Sequence, residues 1–344
     1  MRALKYILLF VLVFIIGSSI YVATLKADYD IKSTKTINVP VEIVFNEIND
    51  FKNWNNWGPW LEMDSTIVAS YPEITSGVGA SYSWTGKEGV GSMKTISVIP
   101  NQEIIQQIDF GTGSTPEVYW ELNAVKNGTE LTWGMRGKNS FSEKLYWLFN
   151  GGIEKNMTPM YSRGLELLNN HLLKYLGKYS VDFKGIVDFG GTFYLYKTTS
   201  SKINLINKKK VDMFKNIDKY MIENAIESNW HNFTLFHQWD EKNDVAIFST
   251  CIPTQDKPLA NEEILAGYIE PQKMFKTIFM GDYKFSKIAW DAAYEELEKQ
   301  GFISPEKSEP FEVYNIGPKN TIDPTKWVLE IYIPIEYIPV PVVL

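Results

Sequence analysis

The residues best equipped for chemistry lie near the end of the chain, in the run Leu329-Glu330-Ile331-Tyr332-Ile333-Pro334. If the run is a strand, its side chains alternate between faces, so Leu329, Ile331 and Ile333 share one face while Val328, Glu330 and Tyr332 share the other. The aliphatic face is expected to pack on helices, leaving Glu330 and Tyr332 in a groove. On the neighbouring strand Phe311 and Val313 are expected in the core, which turns Tyr314 toward the same groove. A carboxylate among aromatic rings favours a cation through charge and ring quadrupole together. The plainer alternative is a solvent-facing acid on a half-exposed sheet. Trp290, on the helix expected before this strand pair, and Trp327, just ahead of the run, join the expected ligand-binding set.

Other chemistries find less support. The single cysteine, Cys251, excludes an intrachain disulfide, and its apolar run predicts inert burial. His171, His231 and His237 show no metal-ligand spacing with cysteines or carboxylates, so neither a metal nor a cofactor is expected. Net charge is −7, and the longest basic run is Lys208-Lys209-Lys210, which reads as a solvated turn before a helix. Without a basic face or a helix-turn-helix segment, nucleic-acid binding is disfavoured. Glu62 and Asp64 read as solvated loop acids.

The elements around Glu330 form an internal repeat. Asn232–His237, a turn, and Val245–Pro253 make one strand pair; Pro310–Asn315, a turn, and Val328–Pro334 make another. Both pairs end in Ile-Pro and follow a strand and a helix. The expected helices are Val211–Ser228 and Phe285–Gln300, and the first strands are Gly191–Tyr196 and Gln272–Met280. Two such halves related by pseudo-symmetry would leave a groove between them. Aligning the two Ile-Pro pairs makes Ser249 the counterpart of Glu330 and Phe236 the counterpart of Tyr314, so the acid is unique to one half, and Phe236 joins the ligand set.

Upstream, Tyr29–Val39 reads as a strand, and Val41, Val44, Phe45 and Ile48 fall on one helical face. Strand-like runs follow at Thr66–Tyr71, Ala80–Trp84, Ser92–Ile99, Glu103–Phe110, Glu117–Val125 and Thr129–Arg136, with Asn127-Gly128 as a hairpin signal. A long helix is predicted from about Ser142 to Leu176. With 11 Trp, 19 Tyr and 19 Phe the chain has ample aromatic surface for a core or a pocket. Trp84, Trp120 and Trp133, beside Trp54, Trp57 and Trp60, are candidate cavity-lining residues; the alternative is that they are simply core. This half shows no catalytic set.

Two family resemblances follow. Ile37-Asn-Val-Pro-Val-Glu-Ile-Val-Phe45, with Asn49–Trp60 after it, resembles the opening of START-like, polyketide-cyclase-type domains. That resemblance implies a helix-grip fold, a curved sheet gripping a C-terminal helix around an apolar cavity. Gly281-Asp-Tyr-Lys284, Trp290, Phe311-Glu-Val-Tyr314 and Leu329–Ile335 together resemble the gyrase-inhibitor-like, effector-binding domains of bacterial transcription activators. In that family a glutamate of the last strand sits in the ligand groove, a position that falls on Glu330 here. The sequence departs from the pattern at Asp282, where proline commonly precedes the tyrosine, and in having no attached DNA-binding domain.

Ahead of both, Tyr6–Leu25 is a run of twenty uncharged, mostly aliphatic residues. As a helix it spans about 30 Å, enough to cross a bilayer. Its length and the lack of a small-residue cleavage site favour an uncleaved anchor over a signal peptide. Arg2 and Lys5 before it predict a cytoplasmic N-terminus.

The expected class is therefore α+β: an anchor over 1–27, a START-like helix-grip domain over 28–178, and a pseudo-symmetric duplicated βαββ effector-binding domain over 179–344. The expected protein is single-pass in the inner (cytoplasmic) membrane, with both domains on the non-cytoplasmic side, and binds a hydrophobic or cationic small molecule. One alternative is a hydrolase of electrophilic compounds, with Glu330 as general base and Tyr314 as proton donor, a pairing the second resemblance implies. Another is a lipid carrier working through the first domain.

Overall fold

The computed structural model describes residues 2–337 apart from Glu88, Thr112 and Asn127. Its contacts divide the chain into two compact units, Met1–Tyr175 and Leu176–Leu344.

The first unit opens with α1 (Arg2–Thr24), followed by β1 (Asp28–Ile37), α2 (Val41–Asn49), a 3-10 turn at Phe51–Asn56 and the short α3 (Trp60–Met63). Then come β2 (Val68–Ser70), β3 (Ser81–Gly86), β4 (Gly89–Ile99), β5 (Glu103–Asp109), β6 (Glu117–Val125) and β7 (Gly128–Lys138). They form one antiparallel sheet in the order β1-β7-β6-β5-β4-β3-β2, a meander whose first strand returns to pair with its last. The β6–β7 hairpin closes where Val125 pairs with Gly128, as the turn signal requires. Asn127 itself lies outside the described residues.

The long helix expected over 142–176 is two helices, α4 (Phe141–Phe149) and α5 (Ile153–Leu176). Gly151 and Gly152 separate them at φ 81° and 98°, a left-handed conformation that glycine adopts without steric cost and that ends a right-handed helix. α5 buries Leu165, Leu168 and Leu172. It can approach the sheet closely because Gly164 has no side chain: a Cβ there would lie 2.4 Å from the Trp133 ring.

Tryptophans fill the interior of this unit. Trp120 and Trp133 stack with ring centroids 4.5 Å apart, and Trp54 and Trp57 close against both. All four are buried. Trp84 sits further out, half-buried against Tyr82 and Phe110. Trp120 and Trp133 are thus core, the alternative the sequence left open. Of the two acids, Glu62 is exposed as expected, whereas Asp64 is not a solvated bystander. Asp64 is buried and accepts from the Thr66 hydroxyl (2.6 Å) and from the backbone N–H groups of Thr66 and Lys87, bonds that hold its carboxyl down at about 2. Glu62 takes a two-pronged contact from Arg163 at 2.7 and 2.9 Å.

The second unit contains β8 (Ser180–Phe189), β9 (Thr192–Ser201), α6 (Ile206–Glu223), β10 (Phe233–Asp240), β11 (Val245–Thr254) and β12 (Leu265–Ile269). It continues with β13 (Gln272–Met280), α7 (Ser286–Lys299), β14 (Phe302–Ile303), β15 (Phe311–Ile316), β16 (Val328–Pro334) and β17 (Glu336–Tyr337). Eight strands form one sheet in the order β12-β9-β11-β10-β15-β16-β13-β8, while β14 and β17 pair separately. The repeat is visible in that order: β9-α6-β10-β11 and β13-α7-β15-β16 meet where β10 pairs with β15, Thr234 facing Glu312. β8 and β12, which the sequence pattern did not mark, extend the two outer edges.

Strand parity decides which residues meet the helices. Leu195 and Ile252 pack on Ile217 and Met221 of α6; Phe275, Phe279, Leu329, Ile331 and Ile333 pack on Ala289, Ala293 and Leu297 of α7. The other face carries Tyr194, Phe233, Leu235, Cys251, Met274, Phe311, Val313 and Tyr332. Cys251 is fully buried there, and burial pushes its thiol well up, as its apolar strand implied.

Candidate functional site

An open cavity of about 530 Å³ lies on the helix-free face of the first half. Alternate residues of β9, β10 and β11 project into it: Tyr194, Tyr196 and Thr198, then Leu235 and His237, then Ile247 and Ser249. Tyr268 of β12 closes one side. Gly267 beside it leaves room for Tyr194, since a Cβ at that position would lie 2.4 Å from the Tyr194 ring.

Four polar side chains meet in this cavity. Ser249 Oγ lies 2.6 Å from His237 Nε2 and 2.7 Å from Thr198 Oγ1, and His237 Nδ1 lies 2.9 Å from Glu309 Oε1. Each comes from a different segment. Ser249 pairs across with Leu235 and with Thr198, which sets its hydroxyl on the cavity face. A β-bulge between Phe236 and Gln238 leaves His237 without a cross-strand partner. The Phe236 N–H donates to the Pro310 carbonyl, which holds Glu309 against β10. The hydrogen bond from His237 and its charge hold the Glu309 carboxyl below its ordinary range, against a smaller opposing effect of burial. An ionised Glu309 can only accept, so Nδ1 carries a proton, and Nε2, whenever it is unprotonated, presents its lone pair to the Ser249 hydroxyl.

The expected site at Glu330 is built differently. Glu330 and Tyr332 do share the helix-free face, but the groove there is filled. Phe189 and Trp230 lie over Tyr332 at ring distances of 5.8 and 6.3 Å. Glu330 is only 9% exposed and already neutralised: Lys276 Nζ lies 2.8 Å from one carboxylate oxygen, and the Tyr332 hydroxyl donates to the other at 2.7 Å. Burial alone would raise its pKa; the Lys276 and Tyr332 contacts outweigh that and leave it lowered. It is neither a solvent-facing acid nor a free anion awaiting a cation.

Tyr314 does not face the groove. β15 pairs with β16 so that Val313 meets Glu330 and Tyr314 meets Leu329, placing Tyr314 on the helix side. The expectation failed because it took Phe311 and Val313 to face the helices, whereas both faces of this sheet are buried and those two pack on the other one. Tyr314 donates to Glu312 at 2.6 Å and receives Lys210 at 2.9 Å; Lys210 also pairs with Glu312 at 2.8 Å, and Trp290 Nε1 donates to Glu312 at 3.1 Å. Lys210 is thus no solvated turn residue. It lies in α6, which begins five residues earlier than the pattern suggested. Burial and the Glu312 charge push the Tyr314 phenol far up. Phe236 packs on Trp290 from the same side, at 5.5 Å, and Trp327, just before β16, packs at a tilt against Tyr283. Of the expected ligand set, only Glu330 and Tyr332 share the helix-free face.

Sequence reasoning missed His237 and Glu309. The repeat did place Ser249 at the counterpart of Glu330, but a bulge leaves no mark in hydrophobic periodicity, and Glu309 stands outside any strand pattern.

No family model matches the chain, and no curated protein does. Among solved structures, the EcmrR C-terminal domain is 17% identical with a TM-score of 0.38, over 46% of this chain and 98% of that one. An EcmrR–DNA complex solved by cryo-EM is 17% identical with a TM-score of 0.41, over 57% of this chain and 71% of that one. Protein CV1439 from Chromobacterium violaceum is 15% identical with a TM-score of 0.32, over 41% of this chain and 94% of that one.

Proposed function

We propose that this chain is a membrane-tethered small-molecule-binding protein whose ligand site is the tyrosine-walled cavity of the second unit. The observation that carries the reading is that cavity: about 530 Å³, open, lined by tyrosines and convergent polar groups, on the face the helices leave free. The ordered motifs that resemble gyrase-inhibitor-like effector-binding domains support it. Glu309, held ionised, is the carboxylate of the cavity, so the ligand is an aromatic molecule that is neutral or cationic. The selecting carboxylate is Glu309 rather than Glu330.

In this reading α1 crosses the inner membrane with the N-terminus inside, and both units stand outside. Leu4–Thr24 is long and apolar enough to cross, and its surface is almost wholly uncovered. α4 extends the same apolar surface: Leu145, Leu148 and Phe149 line a shallow hollow with Phe14, Tyr21 and Val22, and Lys144 Nζ donates to the Ala23 carbonyl at 3.1 Å. Phe149 is 80% exposed, so α4 lies at the bilayer interface beside the end of α1. The first unit is a START-like helix-grip domain, as its opening motif implies. Its packed tryptophans give the lipid-carrier alternative no support, and the opposite placement of Glu330 and Tyr314 gives their joint catalysis none.

Calorimetric titration of the detergent-solubilised full chain with a panel of neutral, cationic and anionic aromatic compounds tests the ligand reading. Binding of neutral or cationic members, weakened about tenfold or more by Tyr196→Ala or Tyr268→Ala, is expected. Binding indifferent to both substitutions would place the ligand elsewhere.

A further inference from the structure

We infer that Ser249, His237 and Glu309 form a nucleophile–base–acid relay that hydrolyses small carboxylic esters, with an aryl group held against Tyr196. The inference rests on the cavity being a ligand site and adds a reaction to it. Nothing in the repeat requires the three residues to meet. The counterpart of Ser249 in the second half is Glu330, paired to a lysine, so the serine–histidine–glutamate chain belongs to the first half alone.

The geometry is that of an activated serine: hydroxyl to imidazole at 2.6 Å, the other ring nitrogen to a carboxylate at 2.9 Å. An ionised Glu309 fixes the tautomer with the proton on Nδ1, so an unprotonated Nε2 accepts from the Ser249 hydroxyl; with the Ser249 hydrogen so used, the Thr198 hydroxyl is the partner left to donate to Ser249 Oγ. All three side chains line the cavity, with Ser249 buried at its floor beneath His237 and Thr198, so the ester carbonyl must enter to the floor to meet the nucleophile. In the first step Ser249 Oγ bonds to the ester carbonyl carbon and its proton passes to His237 Nε2. The intermediate expels the alcohol or phenol, which leaves with that proton, and Ser249 carries the acyl group. Water then attacks the acyl carbon, again giving a proton to Nε2. Breakage of the acyl–Oγ bond releases the acid and returns the proton to Ser249. No other reactant is needed.

The test uses the full chain in detergent, a fluorophosphonate probe and 4-nitrophenyl acetate. One stoichiometric phosphonyl adduct is expected, located by peptide mass mapping on Ser249 of the wild-type protein, so the result does not depend on any variant folding. Ser249→Ala should form none, His237→Gln should slow labelling and ester turnover about 10²–10⁴-fold, and Glu309→Gln should slow both less. Wild-type protein without an adduct, or with one on another residue, overturns the relay. Binding of 4-nitrophenol to the wild type is measured in parallel. Binding without an adduct leaves the ligand site standing and removes the reaction; absence of both removes the cavity reading as well.

Discussion

Glu330 shows how a partner changes what a side chain can do. Its carboxylate is taken up by Lys276 and Tyr332, so Glu330→Gln should act on stability and leave ligand preference alone. Removing one partner of a buried pair strands the other; here, with Lys276 still partly exposed, the loss should be about 2 kcal/mol, read as a lower midpoint in urea with an unchanged slope. Glu330→Gln combined with Lys276→Met should recover most of it. Because the folded-state pKa of Glu330 is lowered, its contribution is fully present above the ordinary glutamate value and fades as pH falls through the folded value. The variant should therefore lose the low-pH part of that dependence. Glu47 in the first unit has the opposite sign. Burial raises it from 4.5 to about 7, against the Trp57 hydrogen bond, with Asp50 adding to the rise; His171 Nε2 lies 3.1 Å away. A raised carboxyl stabilises the fold below its unfolded pKa, and that contribution is lost as pH climbs through about 7. Thermal melts of Glu47→Gln should match wild type near pH 5 and exceed it near pH 8, by about 1–3 kcal/mol. Equal melting at pH 8 would show that the ion pair with His171 offsets the burial cost.

At the scale of elements, the break between α4 and α5 is consequential. Two glycines in the left-handed region let α4 leave the line of α5 and lie along α1. If α4 rests in the bilayer interface, Trp147 reports it, because α1 contains no tryptophan. Full-length protein in nanodiscs of brominated lipid should show quenching that falls sharply in Trp147→Phe. Carbonate extraction tests the α1 anchor separately. Protein that resists extraction but shows quenching indifferent to Trp147→Phe would keep the anchor and remove α4 from the membrane.

At the scale of the molecule, the last turn of α5 ends at Leu176 and β8 begins at Ser180, leaving Gly177, Lys178 and Tyr179 as the joint. Each unit has its own sheet and its own core, so limited proteolysis is expected to yield two persistent fragments divided near this joint. Simultaneous cleavage throughout both sheets would contradict that division.

The amino-acid sequence alone determined the order and type of most elements. Alternation and turn residues marked most of the strands, the leucine spacing marked α5, and the twin Ile-Pro strand pairs marked the repeat. These are local signals, carried by neighbours a few residues apart. It also determined that Glu330 and Tyr332 share a face, because parity within one strand is strict. Parity between strands is not local. Whether Tyr314 joined them depended on the register of β15 against β16 and on a sheet buried on both sides, so the hydrophobic pattern no longer told one face from the other. Only the tertiary structure could bring Lys210 to Glu312 and Lys276 to Glu330, pairs of residues 102 and 54 positions apart that cancel the charges a sequence reader counts as free. The same holds for His237, Ser249 and Glu309: a bulge and one backbone hydrogen bond bring together three residues that nothing in their spacing connects.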